Sequence, residues 1–329
     1  MEHRSLGKTG MAVSAIGLGC AGMSEGYGTP SDERSLQVMT NALACGINFF
    51  DTSDAYGVNG HNERLLGNFL KNSRERVTVA TKVGLVRSPG KPPSISNSPD
   101  HIRAECEASL QRLGIGTIDL YYLQRRDGQV PIEEVMGAMA DLVKAGKVRW
   151  IGLSEVSSET LRKAHAVHPI TAVQSEYSLC TRNVEWKMLE ACRELEVSFV
   201  AYCPLARGFL TGAVKDRKGL EPTDFRQRLP RFEDEALAKN LQLLPAFEQF
   251  AAKRGVMALQ IALAWLLRKH PHVIPIPGTK NPNHVAQSAA AVNVELTAQD
   301  IAELDAMFPP SAVVGDRYPP PAMMGIESD

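Results

Sequence analysis

The stretch Gly17-Leu18-Gly19-Cys20-Ala21-Gly22 runs on into Met23-Ser24-Glu25-Gly26-Tyr27-Gly28-Thr29-Pro30-Ser31, and the segment after the last motif glycine decides the fold. The first six residues match the G-x-G-x-x-G spacing of a dinucleotide-binding turn, after a short strand-like run from Ala15 to Gly19. Asp51, ending the next strand-like run, stands where such a fold places its ribose-binding acid. That fold needs a helix to begin at the glycines, so that its N-terminus faces the pyrophosphate. Here Gly26, Gly28 and Pro30 mark a loop, and the helix opens only near Ser31, the expected cap. The glycine pattern is a decoy.

Outward from it, strand-like and helix-like segments alternate. Before it, Arg4 to Ser14 reads as a small hairpin around Gly7 and Gly10. After it come a helix to about Ala44, a strand at Ile47–Phe50, a helix at Asn62–Lys71 and a strand at Val77–Thr81. A helix capped by Ser98-Pro99-Asp100 runs to Leu113, where a glycine stops it. Then come strand Ile118–Leu123, helix Pro131–Ala145, strand Val148–Gly152, helix Ser158–Ala166, strand Thr171–Gln174, helix Glu185–Leu195 and strand Val197–Tyr202. Beyond a long polar insertion, Ala206 to Asp234, helices are expected at Leu237–Lys253 and Met257–His270. A strand at Val273–Ile276, a helix at Asn283–Ala291 and a terminal helix at Asp300–Met307 complete the chain. About eight βα units with right-handed crossovers close most simply into a (β/α)8 barrel, one domain over residues 1–329. The irregular segments Gly84 to Asn97, Ala206 to Asp234 and the Pro-rich tail from Pro309 read as long loops, the first two at the active face.

Composition narrows the function classes. A hydrophobic fraction of 44% with 22% charged residues and a formal net charge of −1 gives no reason to expect nucleic acid or a membrane surface as partner. There is no signal-peptide pattern at Met1 to Gly10 and no apolar run of spanning length, so a cytoplasmic protein is expected. The six cysteines are scattered singly, which fits reduced thiols and excludes a zinc ribbon or redox pair. His165 with His168, and His270 with His272, lack acidic or Cys partners at ligand spacing, so no metal is expected. Trp150, Trp186 and Trp265 read as packing residues, and Arg226, Arg228 and Arg231 as solvated charges.

Asp51, Tyr56 and Lys82 lie near the ends of two successive strands. Together they form a carboxylate, a phenol and an ammonium suited to proton transfer, with Lys82 expected to lower the Tyr56 pKa and Asp51 to hold Lys82. Further polar residues collect at later strand ends: Gln124, Ser154 with Glu155, Gln174 and Tyr202. In a barrel these converge on one mouth.

On these residues and motifs the chain resembles the aldo-keto reductase superfamily over nearly its whole length. The resemblance rests on G-I-N-F-F-D-T-S-D-A-Y-G, N-E-R-L-L-G, V-A-T-K-V-G, S-L-Q-R-L-G-I-G-T-I-D-L-Y-Y-L, G-K-V-R-W-I-G-L-S-E, V-Q-S-E-Y-S-L, P-L-A-R-G-F-L-T-G and I-P-I-P-G-T-K, in that order. It implies NADP(H) bound across the mouth and reversible reduction of an aldehyde or ketone, with Tyr56 as general acid supported by Lys82 and Asp51. It also implies Ser154 and Gln174 at the carboxamide, with Glu155 where Asn is common, and Tyr202 on the nicotinamide. Gly22 and Met23 would contact the cofactor, and Leu205 and Arg207 the pyrophosphate. Gly278, Thr279, Lys280 and His284 would bind the 2′-phosphate, and Gln287 and Ser288 the adenine. A cation and a hydroxyl at a helix N-terminus favour NADP over NAD.

One position departs from the family pattern. Where a catalytic His is usual, the stretch Tyr121-Tyr122-Leu123-Gln124-Arg125-Arg126-Asp127 carries Gln124. An amide still donates an N–H to a carbonyl oxygen but neither carries a proton nor titrates. The alternative is a weakly active or non-catalytic NADPH-binding regulator. The substrate itself is not named by the sequence, although Met23, Tyr27, Val86, Tyr318 and the tail are candidate lining. The assembly expected is a monomer or a homodimer.

Overall fold

The computed structural model describes residues 1–87 and 90–329; positions 88 and 89 of the expected 84–97 loop lie outside the described residues. The chain opens with an antiparallel hairpin, β1 (His3–Ser5) and β2 (Ala12–Ser14), and then alternates. The order is β3 (Leu18–Gly19), α1 (Asp32–Ala44), β4 (Phe49–Asp51), α2 (His61–Leu70) and β5 (Thr78–Val83). A two-stranded ribbon, β6 (Leu85–Val86) and β7 (Ser94–Ile95), stands in the loop after β5. Next come α3 (Pro99–Leu113), β8 (Ile118–Leu123), α4 (Ile132–Lys144), β9 (Val148–Ser154), α5 (Ser158–Val167), β10 (Ile170–Glu176), α6 (Met188–Leu195) and β11 (Ser198–Tyr202). The last stretch holds α7 (Asp234–Leu241), α8 (Leu244–Lys253), α9 (Ala258–Lys269), β12 (Val273–Pro275), α10 (Pro282–Ala289) and α11 (Ala298–Met307).

Eight parallel strands lie in the order β3-β4-β5-β8-β9-β10-β11-β12. The first and last meet where Gly17 N–H donates to the Pro275 carbonyl at 2.9 Å and Gly19 N–H to the Pro277 carbonyl at 3.3 Å. These bonds close the (β/α)8 barrel. The seam explains the decoy glycines. A Cβ on Gly17 would stand 2.8 Å from Ile276 Cγ2 and 2.9 Å from the Phe49 carbonyl, and one on Gly19 would stand 2.8 Å from the Ile276 carbonyl oxygen. Gly17 and Gly19 thus serve close backbone approach between the first and last strands.

Two cores follow from the strand period of two. Outward-facing residues pack under the helices. Inward-facing ones (Phe49, Ala80, Leu120, Tyr122, Ala172, Val200, Ile274) form a separate cluster with Leu6 and Val13 of the hairpin. The hairpin plugs the N-terminal end, since Gly7 N–H donates to the hydroxyl of Ser198, the first residue of β11. Small and large alternate inside: a Cβ on Gly152 would strike the Tyr122 ring at 2.4 Å. The interior is therefore filled from below, and the chemistry sits above it.

Helix ends follow their cap residues. Ser31 accepts from Arg34 N–H, Ser98 from His101 N–H ahead of Pro99, and Gly114 closes α3 in the left-handed conformation. The helix expected over Leu237–Lys253 is instead two, α7 and α8, because Pro245 opens a new first turn. Trp186 also departs from expectation, with 62% of its surface exposed.

Candidate active site

Continuing the inward period one step past the plug places the functional side chains. Phe49 points inward, so Asp51 does; Ala80 leads to Lys82, Leu120 and Tyr122 to Gln124, Ala172 to Gln174, and Val200 to Tyr202. Ser154 faces Gln174 directly across the β9–β10 register. These six residues make one layer at the C-terminal rim, where barrel chemistry is built.

Lys82 is the centre of the layer. It is 1% exposed, and its Nζ donates to Asp51 Oδ1 at 2.5 Å and to the Thr52 carbonyl at 2.7 Å. Gln174 Nε2 donates to the other Asp51 oxygen at 2.7 Å, so both carboxylate oxygens are satisfied. A buried charge pair needs this degree of pairing to persist. The same Nζ lies 5.0 Å from the centroid of the Tyr56 ring, a cation–π contact.

In this structure burial pushes the Tyr56 phenol well above its ordinary value, the Asp51 carboxylate adds to the push, and Arg125 pulls it back. Lys82 turns its ammonium to Asp51 and presents its charge to the ring face.

Gln124 is buried, and its Oε1 accepts from the Ser53 hydroxyl at 2.7 Å. Among the described residues its amide NH2 has no partner. Likewise, neither the Ser154 hydroxyl nor the side-chain Oε1 of Gln174 has a hydrogen-bond partner among the described residues, whereas the Gln174 backbone carbonyl accepts from Glu155 N–H. A free hydroxyl beside a free amide oxygen on adjacent strands matches the donor and acceptor of a primary carboxamide.

Glu155 is drawn into a buried network with the tail. Its carboxylate takes two bonds of 2.9 Å from Arg317, one of 2.7 Å from the Tyr202 hydroxyl and one of 2.9 Å from Glu176 N–H. It thereby anchors the C-terminal tail. The tail continues across the rim. Tyr318 brings its hydroxyl to 3.3 Å from that of Tyr202 and its ring to 4.6 Å from the Arg207 guanidinium; Glu327 accepts from Ser157 N–H, and Asp329 from Ser158 N–H.

Arg207 is likewise committed. With a positive φ of 58°, it is buried against Glu176 at 2.8 and 3.3 Å. Burial pushes the Glu176 carboxyl up, but Arg207, Arg231 and Arg317 overcome that push and hold it below its ordinary value. Arg226, expected in water, pairs with Asp224 at 2.7 Å and lies 5.2 Å from the Tyr27 ring centroid; only Arg228 of that trio is exposed. Leu205 lies half-buried just before this segment.

At the start of α10, Thr279 Oγ1 lies 3.4 Å from His284 Nδ1 and accepts from Asn281 N–H at 3.0 Å. Lys280 Nζ binds the carbonyls of Tyr27 and Thr29, tying this corner to the loop after β3. His284 is exposed and Gln287 half-buried, whereas Ser288 is buried beneath the helix. Gly278 belongs to the barrel seam, its Cβ position 2.8 Å from the Gly19 carbonyl oxygen. Gly22 packs against the Tyr27 ring, and Met23 is fully buried in the outer core, so its side chain lines no pocket.

Sequence reasoning misses Ser53, Asp54, Glu176 and Arg317. The first two stand inside the D-T-S-D-A-Y stretch, where they read as a turn. Nothing local marks Arg317.

A closed parallel barrel thus carries a buried carboxylate–ammonium pair beside a half-buried phenol at its C-terminal rim, with no metal-ligand cluster among the described residues. Residues 15–308 match the aldo/keto reductase family, and the chain belongs to it. It is 42% identical over 316 residues to the aldo-keto reductase yakc [NADP(+)] of Schizosaccharomyces pombe, covering 94% of this chain and 93% of that protein. Among solved structures, it is similar to the glycerol dehydrogenase AKR11B4 from Gluconobacter oxydans, with a TM-score of 0.85, 29% identity and coverage of 94% and 96%. It is also similar to the holo form of the aldo-keto reductase AKR11C1 from Bacillus halodurans, with a TM-score of 0.76, 26% identity and coverage of 95% and 98%.

Proposed function

We propose that the protein reduces an aldehyde or ketone to an alcohol with NADP(H), using Tyr56 as the proton donor. The observation that carries this reading is the buried Asp51–Lys82 pair with its ammonium 5.0 Å from the Tyr56 ring centroid. The cofactor, when bound, supplies the hydride for the carbonyl carbon. Ser154 and Gln174 would hold its carboxamide, Tyr202 would flank the ring, and Thr279, Lys280 and His284 would hold the 2′-phosphate.

The chain's own work is the proton. Tyr56 keeps its phenol protonated at ordinary pH and passes that proton to the substrate oxygen. Lys82 fixes the ring, and Asp51 with Gln174 fixes Lys82. Gln124 offers an amide N–H to the same oxygen, in the manner of an oxyanion donor.

The test is NADPH oxidation against a panel of aldehydes and ketones, with Tyr56→Phe as control. Turnover is expected in the parent and a loss of at least about 100-fold in the variant. Unchanged turnover in Tyr56→Phe refutes the assignment. Tight NADPH binding with no turnover on any carbonyl would favour the regulator reading instead.

A further inference from the structure

The Ser53 hydroxyl stands between two groups that compete for its one proton. Ser53 is fully buried, with Oγ 2.7 Å from Gln124 Oε1 and 3.1 Å from Asp54 Oδ1. Ala55 N–H donates to the same oxygen at 3.2 Å. A hydroxyl has one proton to give and two lone pairs. Ala55 takes one lone pair, leaving one donor and one acceptor for two partners. An ionised carboxylate and an amide oxygen both demand the donor, so they cannot be satisfied together.

Two arrangements satisfy every group. In the first, a protonated Asp54 donates to Ser53, and Ser53 donates to Gln124 Oε1. In the second, Ser53 donates to an ionised Asp54, and the Gln124 amide turns over to donate its NH2 to Ser53. We propose that Ser53 and Asp54 are a proton-linked orienting relay that sets which end of the Gln124 amide faces the substrate carbonyl. The first arrangement leaves the NH2 free to donate to that oxygen. The second presents an amide oxygen to it, which repels. The proposal rests on the reading of Gln124 as a carbonyl donor, and Ser53 and Asp54 act only through it, as positioning residues.

The surroundings hold Asp54 in the protonated arrangement over a widened pH range. Burial pushes its carboxyl well above the ordinary range, and the Glu63 and Glu105 carboxylates push further, while Ser53 and Arg112 pull back. Arg112, which pulls the Asp54 value back, is bound to Glu63 at 2.6 Å and to Glu105 at 3.2 Å, so its charge is shared. Glu63, fully buried on α2, also accepts from Thr81, and Tyr121 of β8 is a further titratable neighbour. As pH rises through the raised Asp54 value, the amide turns and reduction slows.

The experiment is the pH profile of kcat/KM for carbonyl reduction with NADPH, measured for the parent, Asp54→Asn, Ser53→Ala and Gln124→Ala. The parent is expected to fall by about 100-fold at high pH, the typical cost of one lost oxyanion donor. An asparagine side chain cannot ionise, so Asp54→Asn loses that fall; Ser53→Ala also loses it, at a lower plateau because the amide is no longer fixed. A purely structural role for either residue would leave the shape of the profile intact. A parent profile with no such fall, or an Asp54→Asn profile that keeps it, overturns the relay. Gln124→Ala separates the two readings. If it costs nothing, the donor role of Gln124 fails; if it costs about 100-fold while Asp54→Asn keeps the fall, only the relay fails.

Discussion

Arg317→Ala is expected to destabilise the folded protein by about 3–5 kcal/mol, the usual consequence of removing one partner from a buried ion pair. The Arg317 and Glu155 side chains are 9% and 3% exposed, and the two guanidinium nitrogens reach separate carboxylate oxygens at 2.9 Å. After truncation Glu155 Oε1 keeps the Tyr202 hydroxyl and Glu176 N–H, but Oε2 has no donor left. The penalty is therefore a desolvated half-charge, which a surface pair would not show. The double variant Glu155→Gln with Arg317→Met makes the mechanism explicit. The substituted amide retains an oxygen for both remaining donors, Met fills the Arg stem, and no charge is buried, so the double variant should return to within about 1 kcal/mol of the parent. Equilibrium urea unfolding of the parent, Glu155→Gln, Arg317→Met and the double variant gives the coupling directly, with Arg317→Ala measured alongside. A cost below about 1 kcal/mol for Arg317→Ala would place the pair in solvent, and the docking of the tail across the mouth would then be wrong.

Three further outcomes are expected. Gly19→Ala puts a methyl 2.8 Å from the Ile276 carbonyl at the barrel seam and should lower stability by about 1–3 kcal/mol in the same unfolding assay, whereas Gly137→Ala, with open space at its Cβ, should not. His272 is pulled from its ordinary 6.5 down to about 4, first by burial and then by His270. A folded value below the unfolded one means stabilisation present above pH 6.5 and lost as pH falls toward 4, so His272→Gln should flatten the loss of thermal stability across that window. On the proposed 2′-phosphate contact, Lys280→Met should raise KM for NADPH by about 10-fold or more while leaving KM for NADH nearly unchanged.

What the sequence makes legible depends on local period. Alternation along each strand is enough to put Asp51, Lys82, Gln124, Gln174 and Tyr202 on one inner layer, since one residue either way would turn them into the helix shell. The late start of α1 after Gly22 is equally readable, because caps are local chemistry. What stays hidden depends on distant pairing. Glu155 looks like a substituted cofactor contact; its partner Arg317 is 162 residues away in a Pro-rich segment without periodicity. Arg226 reads as a solvated cation until the insertion folds back and sets it beside Asp224 and the Tyr27 ring. The seam function of Gly17 and Gly19 exists only once the first and last strands are neighbours. The divided helix at Pro245 is different: its signal is in the sequence, and the apolar pattern running on through Leu243 and Leu244 conceals it.

The upward push on Tyr56 bears on the direction in which the site works best. An ammonium beside a phenol is ordinarily read as a device for acidity, but here its charge is spent on Asp51 at 2.5 Å and on the Thr52 carbonyl at 2.7 Å. What remains is orientation: Gln174 on β10 holds Asp51, Asp51 on β4 holds Lys82, and Lys82 on β5 stands over the ring. The proton is accordingly present on Tyr56 across the whole physiological range, which carbonyl reduction requires at the moment the substrate oxygen gains charge. Alcohol oxidation needs the opposite state, a phenolate ready to accept. Burial makes that state costly, and Arg125 opposes the cost. If Tyr56 is the proposed proton donor, reduction should be favoured over oxidation at neutral pH, and this bias should shrink with rising pH as phenolate becomes reachable. Arg125→Met should strengthen it further, lowering the oxidation rate more than the reduction rate when both are followed by absorbance of the reduced nicotinamide. An equal effect on both directions would mean that Arg125 does not act through the Tyr56 proton.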